Sequence, residues 1–214
     1  MPVEFNQWGE LLEKLEQRLQ DPLPGLKAHG RLVPPERRPD LGKEFPEKRR
    51  VAAVLALLYP KEGRVHTCLI KRPSYPGVHG GQIAFPGGKV EKEDRDLLHT
   101  ALREAEEEVG LPQAVAQKPI ELTRLYIPPS RFEVVPFLGH THFAPEYVPQ
   151  ESEVAEIIEL PLSDLLDPSI FGELKVVTNR GELEVSAYHW RGEIIWGATA
   201  MILAEMADII ADVL

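Results

Sequence analysis

Three features of this 214-residue chain predict an α/β fold with a mixed sheet and helices on both sides. The run Val51-Ala52-Ala53-Val54-Leu55-Ala56-Leu57-Leu58 is continuously apolar, as expected of a central strand covered on both faces. Between Leu97 and Val109, the residues Leu98, Ala101, Leu102, Ala105 and Val109 recur at spacings of three and four, the stripe of an amphipathic helix. Strand-like and helix-like segments alternate along the chain, which ends in a second strongly apolar helix.

In order, Phe5, Trp8, Leu12, Leu15 and Leu19 alternate by three and four and predict an amphipathic helix. It would pack on its own domain or, in a homodimer, on a second subunit. The stretch from Asp21 to Lys48 holds six prolines and little periodicity, and reads as a loop or arm. Lys43, Lys48, Arg49 and Arg50 are available to substrate phosphates, but read first as a solvated linker. The expected domains are therefore a helix-and-arm segment at 1–49 and a main α/β domain at 50–214. Val51–Tyr59 and Val65–Lys71 read as strands around the turn Pro60-Lys61-Glu62-Gly63. A glycine-rich segment at 77–81 precedes a short strand from Gln82 to Phe85 and a Gly87-Gly88 turn. After the central helix, Ile120–Ile127, Val134–Gly139 and Glu153–Leu160 read as strands, and Pro161–Leu166 as a helical turn. Leu174–Thr178 and Leu183–Trp190 form a hairpin around Asn179-Arg180-Gly181. In the closing helix Ile202, Leu203, Met206, Ile209, Ile210 and Val213 share one apolar face.

Composition narrows the function classes. A net charge of −10 argues against general binding to nucleic-acid backbones. It does not exclude a phosphate substrate, because bound divalent ions invert the sign of an acidic site. With one cysteine, Cys68, no intrachain disulfide forms and a reducing compartment is allowed. The apolar run at Val51–Tyr59 is too short to span a bilayer. No basic-then-apolar pattern follows Met1, so a cytoplasmic location without membrane attachment is expected.

The chemistry concentrates in Arg103-Glu104-Ala105-Glu106-Glu107-Glu108-Val109-Gly110. Glu104 and Glu108 stand four apart on one face, where like charges oppose the helix. At ~6 Å and an effective dielectric of ~20 the repulsion is about 3 kcal/mol per pair before salt screening. Something must offset it, or protons must stay on. A hard divalent cation seeks several carboxylate oxygens on one rigid element, which this helix offers.

The run from Gly88 through Arg103-Glu104-Ala105-Glu106-Glu107-Glu108-Val109-Gly110-Leu111 resembles the Nudix box, G-x5-E-x7-R-E-U-x-E-E-x-G-U. Its second half matches at every fixed position. In the first half Asp94 stands where Glu is usual and Arg103 falls one position late, so the loop carries one extra residue. Upstream, Leu69-Ile70-Lys71-Arg72, His79, Gly81 and Phe85-Pro86-Gly87-Gly88 resemble the signature of the coenzyme A pyrophosphatase subgroup, with Pro73 and Pro76 replacing its Ser and Leu. Ile195-Trp196-Gly197-Ala198-Thr199-Ala200 resembles the run that opens that subgroup's last helix.

The resemblance implies a Nudix α/β/α sandwich. It also implies Mg²⁺- or Mn²⁺-dependent hydrolysis of coenzyme A, or its derivatives, to 3′,5′-ADP and 4′-phosphopantetheine. Glu104 and Glu108 would be metal ligands, joined by Glu107 when more than one ion binds. Arg103 would orient a ligand carboxylate, and Glu106 would be solvated. The general base would come from Glu104 or Glu107, or from a later loop carrying Glu151 and Glu153. Arg72, His79, Gly81, Gly87 and Gly88 would meet the substrate, the two last through a tight turn and close backbone approach. His140 and His142 form an H-x-H pair which, without cysteines or a third ligand nearby, reads as strand surface instead of a zinc site. Arg131 beside Phe132 is a further pair able to stack on a nucleotide. The alternatives are a Nudix hydrolase of another nucleoside diphosphate conjugate such as ADP-ribose, and a non-catalytic nucleotide-binding regulator. The regulator would be expected to lose acids that this helix keeps.

Overall fold

The computed structural model describes residues 5–33, 38, 41–73, 80–178 and 181–213. They form an α/β fold with a mixed sheet, an N-terminal helix and a C-terminal helix, as the sequence predicts. Two compact units are present, one built from residues 44–59 and 66–160, the other from 1–43, 60–65 and 161–214.

The first unit is organised on strand β1 (Arg50–Lys61), continued by β2 (Arg64–Lys71). Glu62 and Gly63, at the turn between them, both have positive φ, the backbone of a two-residue hairpin turn that follows strand twist. Strand β3 (Ile83–Ala84) pairs with β2. The next strand, β4 (Gly87–Lys89), lies antiparallel to β1 with Gly87 opposite Val54 and Gly88 opposite Ala53. The expected Gly87-Gly88 turn is therefore a strand. A Cβ on Gly87 would strike the Ala53 carbonyl and Val54 backbone, so glycine is required here by close approach, not by chain reversal.

Helix α3 (Leu97–Val109) follows helices α1 (Phe5–Arg18) and α2 (Gly25–His29) in chain order. Its Ala101, Ala105 and Val109 pack with Ala53, Leu55, Leu57 and Tyr59 of β1. The opposite face of β1 is also closed, since Ala56 and Leu58 are buried. The expected strand at Ile120–Ile127 is two strands, β5 (Gln117–Glu121) and β6 (Leu125–Ile127), both antiparallel to β7 (Phe132–His140). Strand β7 runs parallel to β1, from Arg50 opposite Phe132 to Leu58 opposite His140, which makes the sheet mixed. Strand β8 (Glu156–Pro161) pairs with β2. His140 is buried at the end of β7 and stacks edge-on with His142, so it is not the strand surface expected of it.

In the second unit, short helix α4 (Leu162–Leu165) precedes β9 (Phe171–Thr178), β10 (Gly181–Trp190) and β11 (Glu193–Ile195), which form a separate antiparallel sheet. Asn179 and Arg180, at the expected hairpin turn, lie outside the described residues. Helix α5 (Gly197–Ala211) is buried nearly all round from Thr199 to Ile210, not on one face alone. The stretch read as an arm is tied to it, and the end of α1 to the residue that follows it. His29 of α2 meets the buried Glu205 at 3.0 Å, Arg31 meets Asp208 at 2.8 Å, and Arg18 meets Asp212 at 2.7 Å. An isolated carboxylate cannot be buried cheaply, and His29 supplies the partner that Glu205 needs. Helix α1 packs its Trp8, Leu11, Leu12 and Leu15 inward and contacts α5 of the same chain. Among the described residues no helix is long and apolar enough to cross a membrane.

Candidate active site

The acidic run is held on a well-terminated helix. Asp96 is extended and its carboxylate accepts from the His99 N–H at 2.7 Å, an N-cap. At the other end Gly110 is left-handed (φ 68°). Its N–H reaches the Glu106 carbonyl and that of Leu111 reaches Ala105, the paired bonds of a Schellman stop. These caps fix the rotation of α3, so that its acids project toward β4 while its apolar stripe covers β1.

Glu108 is buried, with 1% of its surface exposed. It accepts from the Gly87 N–H at 2.8 Å and lies 3.4 Å from Arg72 Nη2. Burial raises its pKa to about 7, opposed by the Gly87 N–H and Arg72 and reinforced by Glu104 and Glu153. Glu104 is likewise pushed up by burial, against the pull of Arg103 at 3.1 Å. A Cβ on Gly88 would overlap the Glu104 carboxyl group. The i,i+4 repulsion anticipated in this helix is therefore met in two ways, by the flanking arginines and by a proton held on Glu108 near neutrality.

Arg103 organises the other end. Its Nε donates to Asp94 Oδ1 at 2.9 Å and its Nη2 to Asp94 Oδ2 at 3.1 Å. Nη1 reaches Glu107 at 2.9 Å and Nη2 also the Lys89 carbonyl at 3.2 Å. Asp94 accepts in addition from Thr100 Oγ1 and the Glu91 N–H, both at 2.8 Å, and meets His99 Nδ1 at 3.0 Å. The Arg103 guanidinium, with these donors, holds the Asp94 carboxyl well below the usual range. The extra residue in the loop is thus absorbed, and Asp94, which departs from the box in identity, anchors its arginine.

The remaining acids lie where the loop after β7 returns. Val148 N–H bonds to the Val109 carbonyl and Gln150 N–H to that of Glu108, both at 2.9 Å. This pins the loop to the end of α3 and brings Glu153 near enough for its charge to act on both Glu104 and Glu108. Glu151 is exposed, as are Glu106 and Glu107. Arg72 also reaches the Gly87 carbonyl at 3.3 Å. Gly81, with φ 70°, donates to the Pro73 carbonyl at 3.2 Å, which places it close by. His79 lies outside the described residues.

Among the described residues no three acids, histidines or cysteines stand close enough to surround an ion unaided. The donor set nevertheless suits a hard divalent cation. Glu104 and Glu108 are desolvated carboxylates whose burial raises their pKa values, an environment in which a bound cation can take the place of the proton, and hard divalent ions complete their shell with water and substrate phosphate oxygens.

Local reading missed the pairing of Arg124 and Arg49 with Glu133, a buried carboxylate 3.1 Å from Arg124 and in contact with Arg49. Only long-range strand pairing brings these together, and no motif announces it. Arg49 and Arg50 are exposed, as a solvated linker would be, but each is tethered, Arg49 to Glu133 and Arg50 to the Ser130 carbonyl. Phe132, one of the pair able to stack on a nucleotide, carries the Arg50 guanidinium on its face, 4.2 Å from the ring centroid.

With the geometry in place, comparison with known proteins is specific. The NUDIX domain model matches residues 48–179. The chain is 33% identical over 174 residues to the uncharacterized Nudix hydrolase NudL of Enterobacter sp. (strain 638), covering 79% of this chain and 87% of that one. It is 34% identical over 148 residues to NudL of Pectobacterium atrosepticum, covering 67% and 74%. Among solved structures, the Nudix hydrolase RenU of M. smegmatis aligns with TM-score 0.52 at 18% identity over 77% of this chain and 87% of that one. A MutT/nudix family protein of Enterococcus faecalis gives TM-score 0.53 at 18% identity over 79% and 66%. The fold is shared with both. The chain belongs to the Nudix family, as a pyrophosphohydrolase acting on a nucleoside diphosphate-linked substrate.

Proposed function

We propose that the enzyme hydrolyses the pyrophosphate of coenzyme A or its derivatives, releasing 3′,5′-ADP and 4′-phosphopantetheine, with Mg²⁺ or Mn²⁺. The observation that carries this reading is the convergence on Glu108. Arg72 and Gly87, both from the coenzyme A-type signature, bond to the same carboxylate that ends the acidic run of the Nudix box. Two separate sequence signatures thereby meet in one site.

Glu104 and Glu108 would hold the ion, with Glu107 joining for a second. A bound divalent cation supplies charge neutralisation and a nucleophilic water at neutral pH. Arg103 is a positioning residue, held by Asp94 and aligning Glu104 and Glu107. Arg72 is placed to exchange its weak contact with Glu108 for a substrate phosphate oxygen. Gly87 and Gly88 let the backbone and the carboxylates come close to the diphosphate. The proton of the attacking water passes to Glu104 or Glu107, with Glu153 the nearest acid of the returning loop.

The test is mass-spectrometric analysis of products after incubation with coenzyme A, ADP-ribose and a deoxynucleoside triphosphate in Mg²⁺. Release of 3′,5′-ADP and 4′-phosphopantetheine as the fastest reaction is expected. Much faster cleavage of ADP-ribose would overturn the substrate assignment, and no turnover of any of the three would favour a regulator.

A further inference from the structure

At the N-terminal end of α3 the first unit contains a cavity of about 470 Å³ whose walls carry Arg49, Arg50, Lys89 and Arg124. Val51, Val90 and Leu97 line it with apolar surface. Its guanidinium groups are part-exposed but tethered. Glu133, buried on β7 opposite Val51, takes one oxygen to Arg49 and the other to Arg124. Burial is the largest influence on this carboxyl and opposes its ionisation, yet the two arginines together outweigh it and hold its pKa below the usual range. Arg50 is fixed over Phe132 and bonded to the Ser130 carbonyl. Arg124 is shared with Glu121 at 2.6 Å. Against four cations stand Glu133 and Glu121, which leaves two positive charges, the complement of a phosphate monoester dianion. Little side-chain entropy remains to be lost on binding, because three of the four cations are already held.

The cavity and the acid cluster share a strand. Lys89 follows Gly88, against which Glu104 packs, and the Lys89 carbonyl is held by Arg103. Leu97 and Glu104 are seven residues apart on α3, about 10 Å along its axis. That is roughly the reach from a 5′-diphosphate across a ribose to a phosphate on its far side. We propose that this cavity binds a second phosphate, a monoester on the ribose of the nucleoside diphosphate substrate. It would thereby select nucleotides that carry one. The alignment with the scissile diphosphate rests on the pyrophosphatase reading of the Glu104–Glu108 site; the capacity to bind the monoester does not.

The experiment is calorimetric titration of the full chain, without divalent metal, with adenosine 3′,5′-bisphosphate and with adenosine 5′-monophosphate. At least tenfold tighter binding of the bisphosphate is expected, falling to within twofold in Lys89→Gln and kept in Lys89→Arg. Lys89 is exposed, so these variants leave the core intact, and Arg50→Gln provides a second probe of the same wall. Equal affinity for the two nucleotides in the wild type would overturn the proposal. So would a preference that survives both Lys89→Gln and Arg50→Gln. A turnover arm compares kcat/KM for coenzyme A and for its analogue lacking the 3′-phosphate. Preference for the bisphosphate without any coenzyme A cleavage would sink the substrate reading and keep the cavity. Cleavage of both forms at equal kcat/KM would sink the cavity and keep the pyrophosphatase.

Discussion

Asp94 and Glu108 are two carboxylates with buried side chains, fourteen residues apart on one motif, and their environments move them in opposite directions. Asp94 sits among five donors from Arg103, Thr100, His99 and the Glu91 backbone and stays ionised below the usual range. Glu108 has one backbone N–H and a distant arginine, and is pushed up to about 7 by burial. The saturated acid is framework, because every lone pair it offers is already used. The under-satisfied acid is the one proposed above as a metal ligand.

The largest effect that separates them is on turnover. Glu108→Gln keeps the size of the side chain and removes a charged donor, so steady-state kinetics in Mg²⁺ should show a loss on the order of 10³-fold with the melting temperature held or raised. Near-normal rates would place the reaction elsewhere.

Next is the pH dependence of the metal-free protein. Because the native pKa of Glu108 lies above its ordinary 4.5, at about 7, the folded state binds more protons in that interval. Stability then falls as pH rises through it, by about 3 kcal/mol in total. Denaturant titrations from pH 4 to pH 8 should show this slope in the wild type and a shallower one in Glu108→Gln, where Glu104, also raised by burial, still contributes. Asp94 has the opposite sign, its contribution being complete above the ordinary aspartate range and lost as pH drops below it.

Asp94→Asn should cost about 2 kcal/mol of stability, since it leaves Arg103 without its ionic partner. An unchanged denaturation midpoint would refute the anchor. The smallest contrast compares neighbouring glycines. Gly88→Ala displaces Glu104 and should weaken metal-dependent activity roughly tenfold, the scale seen when groups orienting metal ligands are disturbed. Gly87→Ala collides with backbone and should lower stability by about 1–3 kcal/mol. Thermal melts alongside kinetics distinguish the two.

The sequence was informative where one local pattern decides the outcome. Helix α3 occupies the predicted span, because its stripe, its Asp96 cap and its Gly110 stop all lie within fifteen residues. The central strand and its hairpin partner follow from apolar content and a turn. Legibility fails where strand pairing brings distant residues together. Gly87-Gly88 looks like a turn because glycine pairs usually are, yet close approach to Ala53 and Glu104 is what demands them. Pro-rich composition concealed α2, which is stabilised by bonds to α5 far along the chain. Glu133 with its two arginines is equally invisible from sequence, since the three come from the residue before β1, the loop before β6, and β7. Asp94 was legible as a departure from the box, but not as the group that holds Arg103.

The most direct measurement is calorimetric titration of Mn²⁺ at pH 8 into wild type, Glu108→Gln and Asp94→Asn. Affinity should fall by at least a hundredfold in Glu108→Gln and only about tenfold in Asp94→Asn, the latter acting through Arg103. Undiminished Mn²⁺ binding by Glu108→Gln, or an equal loss in both variants, would contradict the division between a framework acid and a metal-seeking one.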